Sequence, residues 1–313
     1  MDNAVVHVYA NLEHFGVAWS VYRGVIMSAA TTGIASFRPL AYWPLGLLRE
    51  ASRGDALSLA RFEKEIAIEM VRRERYPEQV SRLHGLYAWE NQETAVRCER
   101  KWRQQHFSHE NLMEIGFSFS QSSRVDTQWI DDFVLAPEAL GRSDETWMDE
   151  YWRGQSRNRQ PHWELLLEGR GLYWGTTLRM KALEKVRQQE PNSLFFLEAG
   201  RLAVLMGEHE VNSIAPFMLA GGHPDQFRVE FYLDHRPMET AAFQTRLGDF
   251  IRQQPKEEVN LAALGTLDDR PLRVPDLRDQ GFTFSATVLS ARARGALGTL
   301  VAARNLTDWP EGV

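Results

Sequence analysis

Apolar residues recur at helical spacing through Leu57–Arg73 (LSLARFEKEIAIEMVRR), with Glu and Lys assigned to the opposite face, so this segment predicts an amphipathic helix. Tyr76-Pro77 ends it, because a residue that precedes proline is driven out of the α region. Upstream, AVVHVYANL alternates and is β-branched, which predicts a first strand over residues 4–10. Downstream, RLHGLYAWE predicts a strand, Asn91 stands where an N-cap is needed, and a helix follows over 92–105. Residues 112–121 (LMEIGFSFSQ) form another alternating strand, TQWIDDFV shows no single period, and Asp144 to Trp152 reads as a short amphipathic helix. PHWELLLEGRGLYWG gives one or two strands broken at Gly169–Gly171. A helix over 177–189 ends near Pro191. Strands are expected near 194–198, 201–206, 227–233 and 282–289, with a helix at 239–253.

Strands and helices in this order define an α+β chain. No repeat and no Pro/Gly/Ser linker marks a boundary. One is placed near Gly175, where the first strand–helix set has closed, giving parts 1–175 and 176–313.

Composition narrows the class. The 313 residues are 43% hydrophobic and 25% charged, which is folded rather than disordered material. A net charge of −6 argues against wholesale electrostatic binding to nucleic acid but leaves room for local basic patches. Cys98 is the single cysteine, so no intrachain disulfide and no multi-cysteine zinc site can form. The opening MDNAVVHVYANLEHF lacks the cationic flank and apolar stretch of a signal peptide. Arg38 and Pro39 interrupt the apolar run from Gly24 to Gly46. A cytoplasmic protein without a membrane partner is therefore expected. Of the ten tryptophans, Trp89, Trp152, Trp163 and Trp174 stand near polar residues and are candidates to line a cleft, with core packing the alternative.

Phosphate-loop, H-E-x-x-H, G-x-S-x-G and dinucleotide fingerprints are absent. His162 is too isolated for a metal site, and His209 and His223 beside Glu208 and Glu210 read as chance neighbours, so no metal is expected. Glu164 opens an apolar strand in which alternation puts Glu164, Leu166 and Glu168 on one face. The loop before it, YWRGQSRNRQP, is basic and polar. A carboxylate at the mouth of a sheet, flanked by Trp152 and Trp163, suits an anionic aromatic ligand; a strand-edge Glu in solvent is the alternative. Ser81-Arg82 has a similar balance, since Arg82 can fork two donors to a phosphate or pair with Glu69 or Glu74 of the preceding helix.

Together, EKEIAIEMVRRERYPEQVSRLHGLYAWENQETA, then LMEIGFSF, then YWRGQ and PHWELLLEG resemble the bacterial and phage ADP-ribosyltransferase-like domains of the DUF2441 type. The likeness covers roughly residues 1–175. It implies a split, strongly bent β core with flanking helices that clamps NAD, used as substrate. Arg82 would anchor the ligand with Ser81 orienting it, Glu164 would be the catalytic carboxylate, and Tyr87 or Tyr9 would face the nicotinamide. His7 is a rival anchor, and Tyr151 and Trp152 would border the NAD site. Arg153, Arg157 and Arg159, in the loop before Glu164, would contact a macromolecular acceptor, protein or nucleic acid. The chain departs from the better-known branch in having neither a Ser-Thr-Ser strand nor a Glu-x-Glu pair, which counts against arginine as acceptor. The activity implied is ADP-ribosyl transfer by a toxin, effector or phage-defence component, with an antitoxin or regulatory partner. A NAD glycohydrolase and a non-enzymatic binding module are the alternatives, and the C-terminal part is expected to serve target recognition or regulation.

Overall fold

The structure is a computed structural model that describes residues 2–31, 39–102, 107–140, 145–223, 225–255, 258–264 and 274–300. Residues 103–105 of the expected helix 92–105, and Asp144, lie outside the described residues. The chain runs β1 (Asp2–Tyr9), α1 (Phe15–Arg23), β2 (Val25–Met27), α2 (Tyr42–Ser52), α3 (Ala56–Arg75), β3 (Leu86–Ala88), α4 (Gln92–Trp102) and β4 (Leu112–Asp126). Next come α5 (Gln128–Ile130), which runs into a π-helical turn at Asp131–Leu135, then α6 (Thr146–Trp152) and β5 (Trp163–Leu172). The last part holds α7 (Thr176–Gln189), α8 (Leu194–Leu205), β6 (Ile214–Ala220), β7 (Gln226–Leu233), α9 (Ala241–Gln253), α10 (Leu261–Leu264), β8 (Phe282–Ser285) and α11 (Ala291–Leu300). The fold is α+β, with two antiparallel sheets among the described residues and flanking helices.

In the first sheet the order is β1-β4-β5-β2, and β3 lies beside β2 along the same edge of β5. Just past β3, the Trp89 and His7 backbones exchange two hydrogen bonds of 2.9 Å. The sheet thus curls until β1 touches β4 on one side and the end of β3 on the other, which covers part of an edge that would otherwise stand open. The second sheet, β6-β7-β8, packs against α2 and α3.

Helix α3 forms because its Asp55 N-cap accepts hydrogen bonds from the backbone of Leu57 and Ser58, and because Phe62 and Ile66 bury one stripe. That stripe also carries Glu65 and Glu69, 0% and 1% exposed. These two carboxylates therefore do not lie on the polar face of α3, where the sequence pattern assigns them. Positions 62, 65, 66 and 69 share a face by spacing, and both glutamates are buried because arginines meet them there.

Other expectations change as well. Residues 194–205 form one helix rather than two strands. Helix α8 is buried over most of its surface between α1, α9 and α10, and its two charged residues, Glu198 and Arg201, are buried as a pair, so no exposed polar face marks a 3.6-residue period. Strand β5 is continuous across Gly169–Gly171. There the β4 strand approaches so closely that a Cβ on Gly169 would lie 2.1 Å from the Ser118 carbonyl oxygen. Strand β8 stops at Ser285 and gives way to a 3₁₀ turn. Helices α1 and α2 and strand β6 were not anticipated.

Both sides of Gly175 contribute to shared cores. One cluster joins Val6, Trp19 and Phe117 to Leu178, Leu183, Val186 and Leu197; another joins Leu48, Phe62 and Ile66 to Phe227, Phe284 and Leu297. Among the described residues, no helix is long and apolar enough to cross a membrane.

Candidate active site

Helix α3 delivers Glu65, the turn after Pro77 delivers Arg82, α6 delivers Tyr151 and the start of β5 delivers Glu164. The four meet in one buried cluster. Arg82 Nε and Nη2 donate to the two carboxylate oxygens of Glu65 at 2.8 and 2.9 Å. Its Nη1 donates to the Tyr151 hydroxyl at 2.7 Å and lies 3.4 Å from Glu164 Oε2. Trp43 Nε1 donates to Glu65 at 2.9 Å, and the Arg82 guanidinium sits over the Tyr87 ring, 5.1 Å from its centroid. Arg82 is 3% exposed and Glu164 is 3% exposed.

The charges in this cluster are unequal. Burial works against the Arg82 cation, yet Glu65, Tyr151 and Tyr87 around it hold its pKa well above the usual range. Burial pushes the Glu164 carboxyl up to about 7; Arg82 opposes that rise, while Glu65 and Asp131 add to it. Glu65 has the bidentate contact and Glu164 has one long one, so the two carboxylates share a single cation unequally. Burial also raises Tyr87 and Tyr151, which keeps both phenols neutral.

This cluster opens onto a cleft of about 500 Å³ lined by Arg82, Tyr87 and Glu164 together with Tyr9, Trp89, Trp102 and Phe107. Tyr9, Trp89, Trp102 and Phe107 pack edge to face and tilted, with ring centroids 5.0 to 6.2 Å apart. Trp102 Nε1 donates to Asp131 at 2.6 Å, and the Tyr9 hydroxyl donates to Glu99 at 2.8 Å. Helices α2 and α3 also line the cleft, with Tyr42, Trp43, Ser58 and Arg61.

The structure therefore brings Arg82, Glu164, Tyr9 and Tyr87 to one cleft. Tyr151 stands behind Arg82 as a hydrogen-bond acceptor. Ser81 faces away from this group: its hydroxyl donates to Glu69 at 2.8 Å and accepts from the Leu83 amide. His7 is on β1 outside the cleft lining, with Nε2 3.6 Å from Glu114. Trp152 is a core residue whose indole donates to the Ile68 carbonyl. Trp163 stacks under Arg124, and Trp174 is exposed.

Asp126, fully buried at the end of β4, accepts from the amides of Gln128, Arg157 and His162 and so fixes both ends of the loop that leads into Glu164. On this loop Arg153 pairs with Glu150, Arg157 pairs with Asp132 over the Trp129 ring, and Arg159 is exposed. None of the three lines the cleft. Glu65 is the residue that sequence reasoning missed, and its signal was present: a carboxylate on the same stripe as Phe62 and Ile66.

Residues 52–171 match the model of a family described as a protein of unknown function, DUF2441. The matched segment contains Glu65, Arg82, Tyr151 and Glu164 and begins after β1, so Tyr9 and His7 lie outside it. No curated protein matches the chain.

Proposed function

We propose that the cleft binds NAD and that the protein transfers its ADP-ribosyl group to a macromolecular acceptor, a protein or a nucleic acid. The observation that supports this is the juxtaposition of Glu164 and Arg82, 3.4 Å apart and opening together on an aromatic-lined cleft. In such a transfer the bond between ribose C1′ and the nicotinamide nitrogen breaks and its electron pair leaves with nicotinamide. An acceptor nucleophile then bonds C1′ and gives up its proton. Positive charge grows on the ribose as the bond breaks, and an ionised Glu164 beside it stabilises that charge. Arg82, fixed by Glu65 and Tyr151, acts as a positioning residue that holds the Glu164 carboxylate in place. The aromatic side chains offer faces for the planar rings of the ligand.

The test is incubation of the protein with labelled NAD and cell lysate. Label transfer that falls about 100-fold or more in Glu164→Gln is expected, by analogy with other preorganised electrostatic groups. Nicotinamide release with no labelled macromolecule would make water the acceptor. Neither turnover nor a NAD-dependent thermal shift would refute the reading and leave a binding module.

A further inference from the structure

Among the described residues, four arginines line the cleft: Arg23, Arg49, Arg61 and Arg82. A phosphate-bearing ligand needs one with donors to offer, and three are engaged or turned elsewhere. Arg82 directs Nε and both Nη atoms at Glu65, Tyr151 and Glu164. Arg23 is 2% exposed, its Nη2 donates to the His209 and Val211 carbonyls, and a Cβ on Gly200 would lie 3.1 Å from its Nε. Arg49 donates to the Gln280 carbonyl and lies over the Phe282 ring.

Arg61 differs. It takes part in no ion pair among the described residues, and its only hydrogen bond there is from Nη2 to the Leu135 carbonyl at 2.7 Å. Its Nε is buried without a partner, as is that of Arg23, but Arg23 is 2% exposed and gives two hydrogen bonds to carbonyls whereas Arg61 is half-buried and gives one. It stands one turn before Glu65 on α3, the usual spacing for a helical ion pair. Glu65 is instead committed to Arg82, which donates to both carboxylate oxygens, and to Trp43, which donates to one. Arg61 therefore lines the cleft as a cation whose remaining donors are accepted by no group among the described residues, beside a carboxylate already committed to Arg82 and Trp43.

We infer that Arg61, not Arg82, grips the phosphate-bearing part of the ligand, on the α3 wall of the cleft and one helical turn from the Glu164 cluster. The choice of a diphosphate rests on the NAD reading of this cleft; the need for an anion rests on Arg61 itself. Asp131, which holds Trp102, and Leu135, which holds Arg61, begin and end the same π-helical turn. The aromatic wall and the cationic wall are thereby fixed relative to each other by one short element. A ligand with a planar ring at one end and a diphosphate at the other would span them.

Calorimetric titration of the full chain with ADP, inorganic pyrophosphate, adenosine and NAD tests this. Wild-type protein is expected to bind ADP, and Arg61→Ala to weaken ADP and NAD on the order of 10- to 100-fold while adenosine is unchanged. Arg61→Lys should recover part of the loss, since a point charge replaces the fork. Equal ADP affinity in wild type and Arg61→Ala would overturn the inference, as would equal loss of adenosine or no ADP binding by wild type. Arg61-dependent ADP binding without NAD turnover would uphold the subsite and refute the NAD reading. NAD turnover and affinity indifferent to Arg61→Ala would uphold the NAD reading and refute the subsite.

Discussion

Glu164 is a carboxylate nearly sealed from water, set beside a guanidinium whose better partner is Glu65. Its pKa of about 7 has two consequences of opposite sense. For activity, the ionised form is the one that stabilises positive charge, so turnover of NAD should rise with pH along an ascending limb near 7. For stability, the folded state binds a proton more tightly than the unfolded chain, whose carboxyl titrates near 4.5. Between these values the folded protein holds more protons, so the contribution of this group is fully present at low pH and is lost as pH rises through about 7. Glu164→Gln removes the titration. It is expected to melt at a higher temperature than wild type at pH 8, by on the order of 1–3 kcal/mol of stability, with the difference shrinking by pH 5. Thermal melts of the two proteins across that range check the sign; a variant less stable at pH 8 would show that ionised Glu164 stabilises the fold. The Arg82–Glu164 pair was legible from the sequence because a Pro turn and a strand start each exposed one chemical residue. Glu65 was not, because a charged residue on an amphipathic helix is assigned to the solvent unless its position on the apolar stripe is weighed.

At the level of the element, β5 carries Glu164 at one end and is pinned at the other by Gly169. Strand β4 gains an extra residue between Phe119 and Gln121, opposite Gly169 and Glu168, and this bulge brings the Ser118 carbonyl against the glycine. The Gly169 carbonyl also accepts from the Ser28 amide and the Thr31 hydroxyl. A methyl group at residue 169 meets backbone that cannot swing aside. Gly169→Ala should therefore destabilise the protein by about 1–3 kcal/mol, read as a lower melting temperature. Gly295→Ala, in α11 where a Cβ meets nothing within 4 Å, should be neutral or slightly stabilising. Equal melting temperatures for the two variants would show that the bulge relaxes. The same element shows what pattern reading can deliver. Amphipathic elements with one wet face, such as α3, α7, β1 and β7, appear in the sequence at nearly their true bounds. Helix α8 and strand β6 do not, because an element covered on every side has no polar face to set its period.

For the whole molecule, the question is whether the part with the candidate site can stand alone. The sequence offers a boundary near Gly175, and the cleft is built largely before it. Helix α1, however, buries its apolar face against α7 and α8, and Trp19 donates its indole hydrogen to the Asn212 carbonyl at 2.7 Å. Tyr22 reaches Glu198 at 2.7 Å, and Arg23 braces the His209 and Val211 carbonyls. Cutting after Gly175 removes Leu178, Leu183, Val186, Phe196 and Leu197 from the first core. Each such side chain contributes about 1.5–3 kcal/mol when buried, so the loss approaches the ~5–15 kcal/mol net stability of a typical domain. It would also leave Arg23 without its carbonyl acceptors and Trp19 exposed. A fragment of residues 1–175 is thus expected to show no cooperative thermal transition and no ADP or NAD binding, and the full chain is expected to show both. A fragment that melts cooperatively and binds ADP would establish that the shared core is dispensable and that the site domain folds independently. With the expected result, the residues after Gly175 support the cleft directly, since Ser213, Ile214 and Pro216 already line it. Any partner that displaced α7 and α8 from α1 would then act on the site through α1, whose Val17, Ser20 and Arg23 line the cleft.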